Sequence, residues 1–259
     1  MKKKLIEIYN YRAMIASLIR RDLRGRYKGS VLGFAWTFLN PLLQLVVYTI
    51  VFSTIMRSGI EDYYLFLFVA LIPWIFFSTS IQGGASCILA QKDLVAKIYF
   101  PREVLPIAHV TSSLVNMLLS FLVVFAALLI SGKGIKIFLL PYMIPIIVVE
   151  YFFALGITFI FSALTVYLRD LEHILGIVTM AWQFLSPVMY STDIVPDQVL
   201  GIFMINPMTH VIMAYRDVLY YQKVPDISSL GAAAISGVVL LVIGWFVFER
   251  MQRHFAEEM

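Results

Sequence analysis

Six long apolar runs dominate the chain, and polar or charged residues cluster in the segments between them. A helix that crosses a membrane needs about 20 mostly apolar residues. The runs cover residues 31–56, 64–90, 105–130, 142–168, 174–190 and 230–248. This pattern predicts an all-α membrane protein with six transmembrane helices in a single domain over residues 1–259. Pro73 interrupts the second run.

The segment before the first run, residues 1–28, has a different pattern. Apolar residues recur at three- and four-residue spacing between Ile8 and Ile19, and arginines crowd many of the remaining positions. This pattern predicts an amphipathic helix that lies on the inner leaflet of the membrane. The alternative is a segment that only anchors the topology.

The segment before the last run, residues 191–229, is too long for a turn and too apolar for a solvated loop. Pro196, Pro207 and Pro225 divide it into pieces that are too short to cross a bilayer. We expect two short helices, at 199–205 and 208–221, that form a re-entrant hairpin at the outer side. A pair of helices resting on the lipid surface is the alternative.

Composition strengthens the membrane assignment. Hydrophobic residues make up 61% of the chain and charged residues 14%, and the mean hydropathy is +0.86. Soluble domains have roughly 45–50% apolar and about 25% charged residues. These values exclude a disordered chain, a coiled coil, a disulfide scaffold and a soluble enzyme. The single cysteine, Cys87, cannot form an intramolecular disulfide.

The distribution of charge predicts the orientation. Nine of the 20 Lys and Arg residues lie in the first 28 positions, where an anionic membrane leaflet is a better partner than nucleic acid. With the N-terminus inside, 15 Lys and Arg residues fall on the cytoplasmic side and five on the outer side. The positive-inside rule then places both termini in the cytoplasm, and Glu61 and Lys133 outside. We therefore expect a multi-pass protein of the cytoplasmic (inner) membrane.

The sequence shows no catalytic constellation or metal site. Its four histidines are scattered over separate segments, and it contains no phosphate-binding P-loop motif. We therefore predict that the chain is not an enzyme and binds no cofactor, so any ATP and Mg²⁺ would be held by another subunit. Glu150 is the exception to the apolar spans, and it is either functional or a structural contact between helices.

Four blocks of sequence resemble the permease subunits of ABC-2 type exporters, in the branch that exports O-antigens, other lipid-linked polysaccharides and teichoic acids. The blocks are RRDLRGRYKGSVLGFAWTFLNPL (20–42), KIYFPREVLP (97–106), RDLEHILGIVTMAWQFLSPVMY (169–190) and NPMTHVIMAYRDVL (206–219). The blocks occur in the family order, and the resemblance covers essentially the whole chain.

The resemblance implies roles for three regions. Residues 91–104 would form a cytoplasmic loop that couples to a separate ATPase, with Tyr99 and Phe100 as aromatic knobs inside a charged rim. The residues of this coupling loop are Asp93, Lys97, Tyr99, Phe100, Pro101, Arg102 and Glu103. The hairpin at 191–229 would form the outer gate. The gate residues are Pro187, Pro207, His210, Tyr215 and Arg216.

Aromatic side chains suggest where a glycan passes, since sugar rings present apolar C–H faces that can lie on aromatic rings. The predicted substrate path contains Phe38, Tyr48, Phe52, Trp182 and Glu150. The alternative is an interfacial aromatic belt with lipid-facing rings.

The resemblance implies a homodimer of permease chains, with the pore between them and two copies of the ATPase below. The predicted function is export of a lipid-linked polysaccharide or teichoic acid for the cell envelope. Two alternatives remain open: an ABC-2 permease for a lipid or drug, and a membrane enzyme that acts on lipid-linked sugars.

Overall fold

The computed structural model describes residues 2–25, 29–57 and 59–258, and these are almost entirely helical. Residue 1 and residues 26–28 of the predicted N-terminal segment lie outside the described part. The helices are α1 (Lys2–Asn10), α2 (Arg12–Gly25), α3 (Trp36–Thr49), α4 (Tyr63–Ala85), α5 (Lys92–Lys97), α6 (Val104–Ile130), α7 (Met143–Tyr167), α8 (Leu171–Phe184), α9 (Asp197–Ile205), α10 (Pro207–Leu219), α11 (Ile227–Met251) and α12 (Phe255–Glu258). A π-helical turn, Ile50–Ile55, extends α3.

Five helices in the described chain are long and apolar enough to cross a membrane. They are Gly33–Ile55, Tyr63–Ala85, Val104–Ile130, Ile137–Tyr167 and Ile227–His254. The bent pair α9 and α10 passes the same test only when the two helices are combined. An all-helical membrane fold is confirmed, and the predicted count of six spans is supported only approximately.

The predicted fifth span is a shorter helix followed by irregular backbone. Helix α8 has 14 residues, which gives about 21 Å at 1.5 Å per residue. The segment nevertheless runs antiparallel to α4 along most of its length. Three contacts mark this path: Gln82 with Thr179, Phe77 with Trp182, and Tyr63 with Met189. The residues predicted as the fifth span therefore follow α4 first as helix α8 and then as the non-helical residues 185–190.

Helix α4 forms the centre of the bundle. In its most apolar stretch 78% of the residues are buried, compared with 11% in the first span. It packs against α3, α6, α7, α8 and α10. The apolar faces that the other spans leave open are therefore available to lipid or to a second chain.

The last span, α11, packs closely along α7 because glycines remove side chains from the contact. A Cβ atom on Gly156 would lie 2.6 Å from the backbone of Leu240 and Leu241, and one on Gly244 would overlap the Gly156 carbonyl. At the start of α11, the Asp226 carboxylate accepts hydrogen bonds from Ser229 and Ser228, which lower the pKa of Asp226 to about 2.

The N-terminal segment forms two helices that meet at Tyr11, rather than the single helix expected from the pattern. Helix α2 packs against α6, with Leu18 buried and the Ser112 hydroxyl donating a hydrogen bond to Asp22. Its other face, which carries Arg20 and Arg24, is exposed. The apolar side of the amphipathic pattern thus packs on the bundle, and contact of the other side with the membrane surface stays a prediction.

Candidate coupling region, gate and substrate path

The predicted coupling loop consists of α5 and an extended turn that leads into α6. Asp93 and Lys97 are exposed on α5. Tyr99 is 85% exposed, whereas Phe100 is 5% exposed and packs into the core. The sequence suggested two aromatic knobs, but only Tyr99 is positioned to contact another protein. Pro101 is buried where the chain turns into α6.

Glu103 joins this loop to both ends of the chain. It is buried, accepts a hydrogen bond from Gln252 Nε2 at 2.7 Å and forms an ion pair with Lys4. Arg102 donates to the Gln252 carbonyl and lies over the Phe255 ring, with its guanidinium carbon 5.7 Å from the ring centre. An open cleft of about 570 Å³ borders these residues. Arg102 and Glu103 therefore connect the loop to α1 and to Gln252, the residue directly after α11.

The hairpin predicted as the gate bends by 92° between α9 and α10, and Asn206 occupies the corner. Its Oδ1 accepts hydrogen bonds from the Met208 backbone N–H and from Trp182 Nε1, both at 3.1 Å. Its Nδ2 donates to the Leu185 carbonyl at 3.2 Å and to Ser186 Oγ at 2.8 Å. One side chain thus caps α10 and ties the hairpin to the end of α8. Pro207 occupies the first position of α10, where its missing N–H costs nothing.

Arg216 supports the irregular backbone at 185–190. Its guanidinium donates to the Val188 carbonyl at 2.7 Å, the Tyr190 carbonyl at 3.1 Å and the Phe66 carbonyl at 3.4 Å. Its central carbon lies 3.5 Å from the centre of the Phe66 ring. The Tyr63 hydroxyl donates to the Met189 carbonyl at 2.7 Å. Side chains therefore satisfy carbonyls that a continuous helix would satisfy itself, as a low-dielectric environment requires.

The other predicted gate residues belong to the same unit. Pro187 is buried within the irregular segment. His210 Nε2 lies 2.8 Å from the Met204 carbonyl, across the bend of the hairpin. The Tyr215 hydroxyl, on α10, donates to Glu150 Oε2 on α7 at 2.8 Å. The structure therefore brings all five predicted gate residues to the hairpin and the backbone beneath it.

Glu150 was predicted as part of the substrate path, and it is fully enclosed between α7 and α10 within one chain. Tyr215 is its hydrogen-bonding partner, and its second oxygen has none among the described residues. This location corresponds to the structural alternative that the sequence left open. Its role in transport stays a prediction.

The predicted aromatic path falls into two groups. On the first span Phe38 packs edge-on against Phe34, Phe52 stacks on Tyr63 with ring centres 6.3 Å apart, and Tyr48 is half-buried. On α8, Trp182 packs edge-on against Phe77 and Phe153. Among the described residues no ring contact joins the two groups. Their role as a substrate path stays a prediction.

Sequence reasoning missed Asn206, Tyr63 and Gln252 as site residues. An Asn directly before a Pro at a helix start is a capping signal, so Asn206 was detectable in principle. Tyr63 and Gln252 become informative only through distant partners in the fold. No group of three or more His, Cys, Asp or Glu side chains among the described residues is arranged to hold a metal.

Comparison with known proteins gives a consistent result. A family model described as ABC-2 type transporter matches residues 14–220. An O-antigen export system permease protein, RfbA, of Myxococcus xanthus is 38% identical over 255 residues, covering 97% of each chain. An RfbA of Klebsiella pneumoniae is 31% identical over 94% of each chain. The polysialic acid transport protein KpsM of Escherichia coli is 24% identical, over 89% of this chain and 90% of that protein.

Proposed function

The chain belongs to the ABC-2 type transporter family, and we propose that it is the permease subunit of an ATP-driven exporter of a lipid-linked polysaccharide of the O-antigen type. The observation that carries this proposal is the 38% identity to an O-antigen export permease across 97% of both chains. Similarity to a polysialic acid transport protein extends the substrate class to polysaccharides in general. Teichoic acid remains a less supported substrate.

The energy for export comes from ATP and Mg²⁺ bound by a separate ABC ATPase, in our proposal present in two copies. The exposed residues Asp93, Lys97 and Tyr99 form a compact surface of mixed charge with one aromatic knob. Such a knob inside a charged rim is typical of a protein contact. Because Glu103 connects this surface to α1 and to Gln252 directly after α11, it offers a route by which movement of the ATPase reaches the bundle.

We place the pore between two copies of this chain, in the cytoplasmic membrane with both termini inside. The first span supports this arrangement, because only 11% of its most apolar stretch is buried and it carries Phe38, Tyr48 and Phe52. Helix α8 also exposes Ile177, Val178 and Phe184. A second copy would bring the two aromatic groups of the path together, with the outer hairpin as its gate.

The proposal is tested by deleting the gene in a host that displays the polysaccharide and measuring surface glycan with an antibody. We expect surface glycan to disappear, lipid-linked glycan to accumulate inside and the wild-type gene to restore export. The tagged permease should co-purify with an ATPase whose hydrolysis rises when the lipid-linked glycan is added. Normal surface display in the deletion strain would contradict the proposed function.

A further inference from the structure

The face of α2 that points away from the bundle carries an open, positively charged groove of about 840 Å³. Small side chains line its first part, and three arginines line the part near the end of the helix. These residues are Ala13, Ala16, Ser17, Arg20, Arg21 and Arg24. None of the described residues that line the groove is acidic, so it presents a single sign of charge to the surroundings.

The charge of the three arginines is not used within the described fold. All three are exposed, and none has a hydrogen-bonding or ion-pairing partner among the described residues. Arg20 and Arg24 are four residues apart on one helix face, where like charges destabilise a helix. Asp22, the acidic residue between them, instead accepts a hydrogen bond from Ser112 on α6. The arginines are therefore available to an anion from outside the chain.

The groove also lies at a suitable depth for a lipid-bound anion. Lys4 on α1 pairs with Glu103 at the start of α6. Asp22 on α2 contacts Ser112, nine residues further along α6 and about 14 Å higher. The headgroup layer of a bilayer is roughly 5–8 Å thick. With the coupling loop in the cytoplasm, as proposed, the arginine end of α2 lies at the level of the lipid phosphates.

The side chains select the chemistry of the anion. A guanidinium group donates two parallel hydrogen bonds to phosphate oxygens, which makes arginine the preferred residue for phosphate recognition. Three guanidinium groups exceed the single negative charge of a phosphodiester in an anionic phospholipid. They match better the two charges of a diphosphate that joins a lipid to a sugar.

The size of the groove is compatible with such a ligand. Its volume corresponds to about 28 water molecules, which leaves room for two phosphate groups and the first sugar ring. The small residues Ala13, Ala16 and Ser17 keep the helix surface next to the arginines free of long side chains. A bulky ligand can therefore lie along α2 while its phosphates contact the arginines.

We infer that Arg20, Arg21 and Arg24 bind the diphosphate that joins lipid and glycan in the exported molecule, before the glycan crosses the membrane. The inference rests on the proposed function and deepens it. It assigns recognition of the lipid-linked end of the substrate to the permease chain itself.

The test uses the purified exporter, permease with its ATPase, in nanodiscs to which lipid-linked glycan extracted from the host is added. A photo-crosslinking amino acid replaces Ser17, which is exposed beside the arginines. The control position is Asn10, which is exposed at the end of α1. After irradiation we expect glycan attached at position 17 and none at position 10.

Three competitors identify the group that is recognised. Polyprenyl diphosphate without sugar should abolish the crosslink at position 17, because it presents the same phosphates. Glycan released from lipid and phosphate should leave the crosslink unchanged. Phosphatidylglycerol at the same concentration should also leave it unchanged, because its phosphodiester has only one negative charge.

Matched variants then test the arginines in the crosslinking background. Arg20→Gln and Arg24→Gln should each lower crosslinking about tenfold below saturation, the effect of one lost charge-assisted hydrogen bond. The corresponding lysine variants keep the charge without the paired donors and should fall between. Arg12→Gln is the control, because it removes the same charge from α2 outside the groove, where Arg12 donates to the Tyr9 carbonyl. Crosslinking is expressed per inserted chain.

Several results would overturn the diphosphate site. They are equal crosslinking at positions 10 and 17, no crosslink at position 17, and crosslinking that neither glutamine variant changes. Competition by phosphatidylglycerol or free glycan as strong as that by polyprenyl diphosphate would also overturn it. Loss of the co-purifying ATPase from the glutamine variants would assign the arginines to that subunit instead.

Surface display in cells separates this inference from the proposed function. Export that requires the chain but is unchanged by Arg20→Gln and Arg24→Gln would overturn the diphosphate site alone. Export that does not depend on the chain would instead overturn the proposed function.

Discussion

At the scale of single residues, Tyr99 and Phe100 are neighbours with opposite surroundings. We expect Phe100→Ala to lower the free energy of unfolding by about 3 kcal/mol, because it empties a buried site. Tyr99→Ala should change it by less than about 0.5 kcal/mol, because the ring is exposed. Denaturant titration of the purified permease measures both values.

For coupling to the ATPase we expect the opposite ranking of the two variants: per folded molecule, Tyr99→Ala should lose more coupling than Phe100→Ala. In the assembled exporter, Tyr99→Ala should reduce glycan-stimulated hydrolysis although the permease remains stable. Full coupling in Tyr99→Ala would contradict a docking role for the exposed ring.

Glu150 and Tyr215 form a second residue-scale case. Glu150→Leu and Tyr215→Phe each leave one buried partner unpaired, and each should cost about 1–3 kcal/mol of stability. The double variant removes both groups, so it should be more stable than the sum predicts by about 1 kcal/mol. Denaturant titrations of the three variants and the wild type give this coupling energy. Additive losses would show that the hydrogen bond contributes nothing, and lost export in a fully stable Glu150→Leu variant would favour a path role.

At the scale of elements, the packing of α11 on α7 depends on glycine. Gly244→Ala would place a methyl group against the Gly156 carbonyl, and we expect a loss of about 2 kcal/mol. Gly231→Ala on the same helix is the matched control, because a Cβ atom there has nothing within 4 Å. Alanine favours helix over glycine, so the control should gain stability by about 0.5–1 kcal/mol. Thermal unfolding of the two variants measures both changes in stability. Equal changes would contradict close packing of α11 on α7 at Gly244.

The elements also show what the sequence could predict. Helical length and apolarity gave most of the spans, and the proline positions gave the two short helices of the hairpin, because both are local properties. The irregular residues 185–190 were included in a predicted span because their composition is as apolar as that of a transmembrane helix. Their backbone is satisfied by Asn206 and Arg216, which are distant in sequence, and no local pattern contains such contacts.

Contacts between residues that are distant in sequence also explain why the exposure of the site residues was not predicted. The coupling loop was located from its motif and mixed charge. The burial of Phe100 depends on core contacts, and that of Glu103 on partners at both ends of the chain, so exposure could not be predicted residue by residue.

At the scale of the whole molecule, the charge asymmetry predicts which ends of the bundle face the cytoplasm. Single cysteines are introduced at Lys97 and at Glu61 in a Cys87→Ser background and treated with an impermeant maleimide on intact cells. Both positions are exposed. We expect labelling at position 61 only, with position 97 labelled after the membrane is opened. The opposite result would invert the topology.

The position of Arg216 has an electrical consequence. Its positive charge is surrounded by carbonyls and an aromatic ring, with no ion pair to a carboxylate among the described residues. Moving one charge through a full membrane potential of 100 mV changes the energy by about 2.3 kcal/mol. A hairpin that shifts across a tenth of the field would therefore feel about 0.2 kcal/mol per 100 mV. Export measured in vesicles at imposed potassium diffusion potentials should then vary with voltage, and the protein would act as a weak voltage sensor.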